Sequence, residues 1–230
     1  MTADWALYRR TLPVRPQLCP RASRYVIKPN ASSASWGVRA AEDWDGVCNA
    51  VAAIHAEGHD AIVEPFIVGH DIEVSVITVD GQSVILPMMI VEQDDPTLLR
   101  SYAEKRDLAD HQAYAIQPFN DHLRLAEIEA ATRALMPEFM PFDYGRFEFR
   151  LDAATGSIQF LEVNLNCNLW SRKTIAMAAL LGGWSHAELI ETIVAESLRR
   201  HGLIDLTKAK KGVPAWQIAD YAGMPAYARS

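Results

Sequence analysis

The sequence predicts an α+β fold, and three observations carry that prediction. Asp80-Gly81 stands between two apolar runs, a strong local signal for a tight hairpin. A second hairpin is predicted at residues 144–152 and 157–164, turning at residues 153–156 with Gly156 last. Helical periodicity recurs at residues 42–56, 122–139 and 185–201, mixed with hairpins rather than alternating strictly with parallel strands.

Taken in order, residues 1–24 read as an N-terminal arm. A short helix is expected around residues 4–10, before Pro13, Pro16 and Pro20 break regular structure. Residues 24–28 form a short buried strand ending in Lys28, and residues 29–37 a loop of small residues. The helix at 42–56 places Trp44, Val47, Val51 and Ile54 on one side, and Gly58 ends it. Strands are expected at 61–64, 72–79 and 83–91, then a polar loop at 93–108 and a strand at 112–116. In the helix at 122–139, Leu123, Ile128, Ala131 and Leu135 form the expected apolar stripe. Ser185 caps the last helix and Gly202 closes it; residues 205–230 read as a tail.

Half of the residues are hydrophobic and 22% are charged, an ordinary soluble balance. No apolar run reaches the roughly 18 residues of a membrane span. The first residues lack the basic-then-apolar order of a secretion signal. A net charge of −7 argues against nucleic acid as a partner, though not against a nucleotide. Cys19, Cys48 and Cys167 are scattered, without CxxC spacing, which fits a reducing cytoplasm.

The sharpest chemistry lies in the second hairpin. With residues 154–156 as a three-residue loop, Ala153 falls opposite Ser157, Glu148 opposite Glu162, and Arg146 opposite Asn164. Opposed residues share a face, so Arg146, Glu148, Glu162 and Asn164 line one side, with Phe147, Phe149, Leu161 and Val163 on the other. Two opposed glutamates repel, and a divalent cation between them removes the conflict. Two carboxylates and an amide oxygen are a hard oxygen set suited to Mg2+. A solvated strand face with unconnected charges is the equally open reading.

Lys28 at the end of a buried strand is a costly place for a charge unless an anion sits there, and the serines and N–H groups of the following loop can close over phosphates. A lysine snorkelling out of the strand is the competing reading. Further on, an apolar strand ends in Glu64, Pro65, Phe66 and Ile67, and Gly69 leads to Asp71. Backbone groups near residues 65–67 can read a purine edge and Asp71 can hold ribose hydroxyls, as acids do in dinucleotide sites; Asp71 as a plain turn residue is the alternative. Lys105 and Arg106, in a polar loop, can cover a γ-phosphate or form a solvated charge cluster.

In this order the motifs resemble the D-alanine–D-alanine ligase branch of the ATP-grasp superfamily, its central and C-terminal catalytic part, across about residues 24–200. The resemblance implies an ATP-grasp fold: an arm at 1–24, a small lid lobe at 25–68, a larger C-terminal antiparallel-sheet lobe with helices at 69–204, and a tail at 205–230. It implies that Lys28 binds ATP phosphates under a loop containing Ser35, that Glu64 with Phe66 and Ile67 binds adenine, and that Asp71 binds ribose. Lys105 matches a lysine near the γ-phosphate. Glu148, Glu162 and Asn164 match magnesium ligands, and Arg146 an arginine that steadies the reacting phosphate. The implied activity is an ATP- and Mg2+-dependent carboxylate–amine ligase acting through an acyl-phosphate, with one or two Mg2+ ions and Mn2+ as a substitute.

Departures from the pattern bear on the substrate. Ala34 stands where these ligases carry a serine, and Arg106 replaces a tyrosine. Leu165, Asn166, Cys167 and Asn168 follow Asn164 where the family continues toward Pro-Gly. D-Alanine is therefore not the expected substrate, and Asn168, Arg172 and Lys173 are the candidates for holding a different acidic group. The family's N-terminal substrate domain has no counterpart before Lys28, so a homodimer or a partner supplying that domain is expected. Two other functions stay open: a nucleotide-binding subunit or regulator without ligase activity, and an ATP-dependent phosphotransferase.

Overall fold

The computed structural model describes residues 4–15, 19–99 and 114–204. In chain order these form β1 (Ala6–Tyr8), β2 (Tyr25–Pro29), β3 (Arg39–Ala41), α1 (Trp44–Ala56), β4 (Ala61–Pro65), β5 (Gly69–Val79), β6 (Gln82–Ile85), β7 (Met89–Gln93), β8 (Tyr114–Pro118), α2 (His122–Leu135), β9 (Tyr144–Asp152), β10 (Ile158–Asn164), α3 (Thr174–Leu181) and α4 (His186–Arg200). The class is α+β, as expected. One sheet has the order β1-β4-β2-β3; the other runs β10-β9-β5-β7-β8, with β6 also paired to β5. No helix among the described residues is long and apolar enough to cross a membrane.

The chain divides into two compact units. The first takes the described residues of Met1–Asp71, Val91–Ile116 and Phe149–Leu161. Here β2 and β4 pair antiparallel with Ile27 opposite Val63, Lys28 opposite Ile62 and Val26 opposite Glu64. Side chains alternate along a strand, so Ile27 and Val63 enter one core with Val47, Val51 and Ile54 of α1. The same alternation puts Lys28 and Glu64 together on the other face. Asp43 starts α1 by accepting from the Gly46 N–H.

The helix expected at residues 4–10 is instead β1. Ala6 and Tyr8 are both buried around Leu7, a period of two, and Ala6 pairs with Val63 at the sheet edge. An available sheet edge outweighed weak helical propensity.

The second unit takes Ile72–Ile90, Gln117–Glu148 and the described residues of Glu162–Ser230. Residues 72–79 of β5 are all buried. The Asp80-Gly81 hairpin forms as expected. Val79 pairs with Gln82, and φ is 50° at Asp80 and 77° at Gly81, the two left-handed residues of a tight hairpin turn. The strand expected at 83–91 is two strands, because Pro87 between them has no N–H to give a ladder.

In α2 the buried face is Ile128 and Thr132, continued by Met136, while Leu123 is 86% exposed; the stripe expected to begin at Leu123 is therefore corrected. This helix stops at Leu135, and residues 136–139 tighten into a 3-10 turn containing Pro137. Phe147 packs edge-on to Phe139 and near Phe142, with centroids at 5.9 and 6.3 Å. Ser185 caps α4, as expected, and Glu188 joins it in a capping box.

Candidate functional site

In the first unit, β2 and β4 bring Lys28 and Glu64 into an ion pair of 2.9 Å, each side chain about one-fifth exposed (23% and 20%). They sit two residues out of register on the same face, the diagonal reach of long side chains. Beyond them the chain bends through residues 66–68. The Phe66 N–H donates to the Arg24 carbonyl at 2.8 Å, and the Arg24 guanidinium lies 4.2 Å from the centre of the Phe66 ring. That backbone donor is therefore engaged within the protein. Ser35 takes a left-handed conformation (φ 61°), and its carbonyl accepts the Val38 N–H.

Asp71 is buried rather than displayed on a turn. Its carboxylate pairs with Arg150 at 2.9 Å, both side chains 10% exposed. The same guanidinium donates to the Ile67 carbonyl (3.0 Å), the Gln93 amide oxygen (3.1 Å) and the Pro96 carbonyl (3.2 Å). Ala153 N–H donates to the Val68 carbonyl at 2.9 Å. Sequence reading missed Arg150; the available signal was a charge in the alternating apolar run of β9.

In the second unit, β9 carries Arg146 and Glu148, joined by contacts of 3.0 and 2.5 Å from Nε and Nη2 to Oε1. Glu73 of β5 approaches the same guanidinium at 3.3 Å. Both glutamates are 3% exposed at the side chain. The Thr174 hydroxyl donates to Glu73. Burial by itself would lower the pKa of Arg146, but Glu148 and Glu73 outweigh it and raise it, so the arginine stays charged. Cys167 lies in the same field. Burial foremost pushes its thiol up to about 11, against the pull of Arg146. Glu73 and Thr174 were also missed from sequence, although Glu73 is a charge inside the mostly apolar run at residues 72–79.

The loop joining β9 and β10 is one residue longer than expected and begins one residue earlier. Asp152 N–H donates to the Ser157 carbonyl, and Gly156 N–H to the Asp152 carbonyl, so residues 153–156 form a four-residue loop. Asp152 also accepts from the N–H groups of Ala154 and Thr155, which closes the longer turn. Gly156 keeps its left-handed φ of 66°. Phe149 and Phe160 meet edge-on at 5.6 Å, so they share a face. The register that set Glu148 opposite Glu162 does not hold at this end. Glu148 is buried and Glu162 exposed.

Asn164 accepts the Asn166 N–H at 3.0 Å, and the Tyr144 hydroxyl donates to the Asn166 side chain at 2.8 Å. Asn168 is exposed and accepts the Trp170 N–H at 2.9 Å. Arg172 lies 5.5 Å from the centre of the Trp170 ring. Lys173, 8% exposed, precedes α3. Lys105 and Arg106, and the tail at 205–230, lie outside the described residues.

The structure thus gathers Lys28 with Glu64, and Asp71 with Arg150, in the first unit; it gathers Arg146 with Glu148 in the second. A family model described as "D-ala D-ala ligase C-terminus" matches residues 23–195. No curated protein matches the chain by sequence. Among solved structures, D-alanine–D-alanine ligase from Bacillus anthracis, complexed with ATP, is similar with a TM-score of 0.66 at 18% identity, covering 87% of this chain and 62% of its own. D-Alanyl-alanine synthetase A from Vibrio cholerae gives 0.64 at 19% identity, over 76% of this chain and 53% of its own. The VanG D-Ala:D-Ser ligase from Enterococcus faecalis gives 0.64 at 15% identity, over 84% and 56%. The chain therefore spans less than two thirds of the length of each of these relatives.

Proposed function

This chain belongs to the D-ala D-ala ligase C-terminal family and has the ATP-grasp fold of its solved relatives, and on that premise we propose that it is the nucleotide-binding catalytic part of an ATP-dependent carboxylate–amine ligase. The observation that carries the reading is Arg146, its side chain only 16% exposed and held in its charged form between Glu148 and Glu73. A desolvated cation fixed by two strands is a preorganised countercharge for a phosphoryl group in transfer.

Each remaining residue has a part in this reading. Lys28 exchanges its Glu64 partner for ATP phosphate oxygens, under the loop containing Ser35. With the Phe66 N–H taken by Arg24, Ile67 offers the backbone donor for a purine edge. Asp71 reads the ribose, and Lys105 serves the γ-phosphate. Glu148, Glu162 and Asn164 supply only oxygen donors, which fits magnesium chemistry; with Glu148 buried against Arg146 and Glu162 exposed, they would hold one ion together only once Glu148 exchanges Arg146 for it. When bound, magnesium supplies charge neutralisation on the phosphates. Arg146 then steadies the carboxylate–phosphate intermediate until an amine displaces phosphate to form the amide. Asn168, Arg172 and Lys173 are the side chains assigned in this reading to an acidic substrate group other than that of D-alanine.

The test is MgATP binding and turnover. MgATP at a hundredfold excess over its dissociation constant stabilises the folded chain by about 2.7 kcal/mol. Lys28→Ala removes most of that gain. Adding pools of amino acids and small acids then releases ADP on one combination. A melting temperature that saturating MgATP leaves unmoved would sink the proposal. Binding without ADP release on any pool would instead favour a nucleotide-binding module that does not ligate.

A further inference from the structure

Among the charged residues of the first unit, Arg150 makes more directed contacts than the nucleotide reading uses. Its fork reaches the Ile67 carbonyl, the Asp71 carboxylate, the Gln93 side chain and the Pro96 carbonyl, all within 2.9–3.2 Å. Ile67 and Asp71 are the two positions that the proposed function assigns to base and ribose. Between them the chain passes Gly69, whose N–H reaches the Pro96 carbonyl at 3.4 Å. The Gln93 N–H meets His70 Nδ1 at 3.3 Å. Residues 67–71 are therefore tied along their length to β9 and to the turn at residues 93–96.

We propose that Arg150 is a positioning residue for the nucleoside: it fixes the Ile67 backbone and the Asp71 carboxylate relative to each other, so that base and ribose are read by one rigid segment. This rests on the ATP reading of the preceding subsection. The physical basis is the guanidinium itself. Its planar, permanently charged fork satisfies several acceptors at fixed angles, whereas a lysine ammonium is a point charge. Burial of Arg150 and Asp71 makes the geometry of that pair strict, because a carboxylate losing its partner there has no ready replacement from water. A segment already ordered before binding spares the nucleotide the cost of ordering it.

The experiment uses the full chain and two probes, MgATP and magnesium tripolyphosphate, which lacks base and ribose. Arg150→Lys keeps a positive charge beside Asp71 but cannot span Ile67, Asp71 and Pro96 at once. Calorimetric titration should show MgATP binding weakened about tenfold or more, the equivalent of losing one charge-assisted hydrogen bond. Binding of tripolyphosphate should stay within about twofold, since Lys28 and the phosphate loop are untouched. A purely structural role for Arg150 moves both probes together or neither, and either result overturns the proposal. If Arg150→Lys does not fold, Gln93→Ala carries the same comparison. It removes one anchor of the fork and should weaken MgATP about threefold, again without affecting tripolyphosphate. No split between the probes in that variant also overturns it. A wild-type chain that binds neither probe refutes the ATP reading itself, and is distinguishable from a wild type that binds both while its variants show no split.

Discussion

Gly69 opens β5 at φ 156°, and a methyl group built there would lie 1.8 Å from the Leu151 carbonyl oxygen, 2.9 Å from the Leu151 carbonyl carbon and 3.1 Å from the Ala153 nitrogen. All three are backbone atoms, so no rotamer change relieves the overlap. Ordinary contact is about 3.4 Å, and β9 must move by more than 1 Å for Gly69→Ala to fit. Two costs add. A non-glycine residue in positive φ costs about 1–2 kcal/mol, and forcing packed backbone apart costs about 1–3 kcal/mol more. Gly58 separates them: it has φ 93° and nothing within 4 Å of an added methyl, so Gly58→Ala carries the conformational cost alone. With a urea dependence of about 2–3 kcal/mol per molar, the unfolding midpoint should fall by about 1.5 M in Gly69→Ala and about 0.5 M in Gly58→Ala. The assay is urea unfolding followed by tryptophan fluorescence at fixed pH. Equal midpoints for the two variants would refute the overlap, and with it the close approach of residues 67–71 to the end of β9.

Two further outcomes follow from buried groups. Glu196, 3% exposed, accepts from the Asp80 N–H at 2.6 Å and the Gly81 N–H at 3.2 Å, and pairs with Arg199. Glu196→Gln should therefore cost about 2–3 kcal/mol in chemical unfolding; a loss under about 0.5 kcal/mol means that the hairpin does not need this cap. The buried Cys167 thiol has its pKa raised to about 11 from 9.0, so the folded chain holds this proton more tightly than the unfolded one. Its contribution is complete below pH 9 and is lost as pH rises through about 11, amounting to at most about 3 kcal/mol. Unfolding free energies measured from pH 8 to pH 11 should fall more steeply in wild type than in Cys167→Ala, and parallel slopes would contradict the burial of this thiol.

The sequence alone determined what depends on near neighbours. A short apolar run ending in Lys28 marked β2, and the Asp80-Gly81 pair defined its turn. Ser185 defined where α4 starts. These signals work because the interacting groups lie within a few residues of one another, so the local chain settles the energy. The order of Lys28, Glu64, Asp71, Arg146, Glu148, Glu162 and Asn164 was enough to point to the family that the model match then identified.

Tertiary structure decided the rest. Only the edge of β4 turned residues 6–8 from helix to strand. Asp71 bonds to Arg150 across 79 positions, and Thr174 to Glu73 across 101, so neither partner could be named by scanning along the chain. Leu123 looked like core and is exposed, because the face of α2 that packs is set by Ile128 and Thr132. The hairpin loop after β9 gained a residue because Asp152 accepts two turn N–H groups, shifting the register at that end by one. In each case the deciding energy is burial or a directed bond between residues far apart in sequence, and it exists only once the chain has closed those distances.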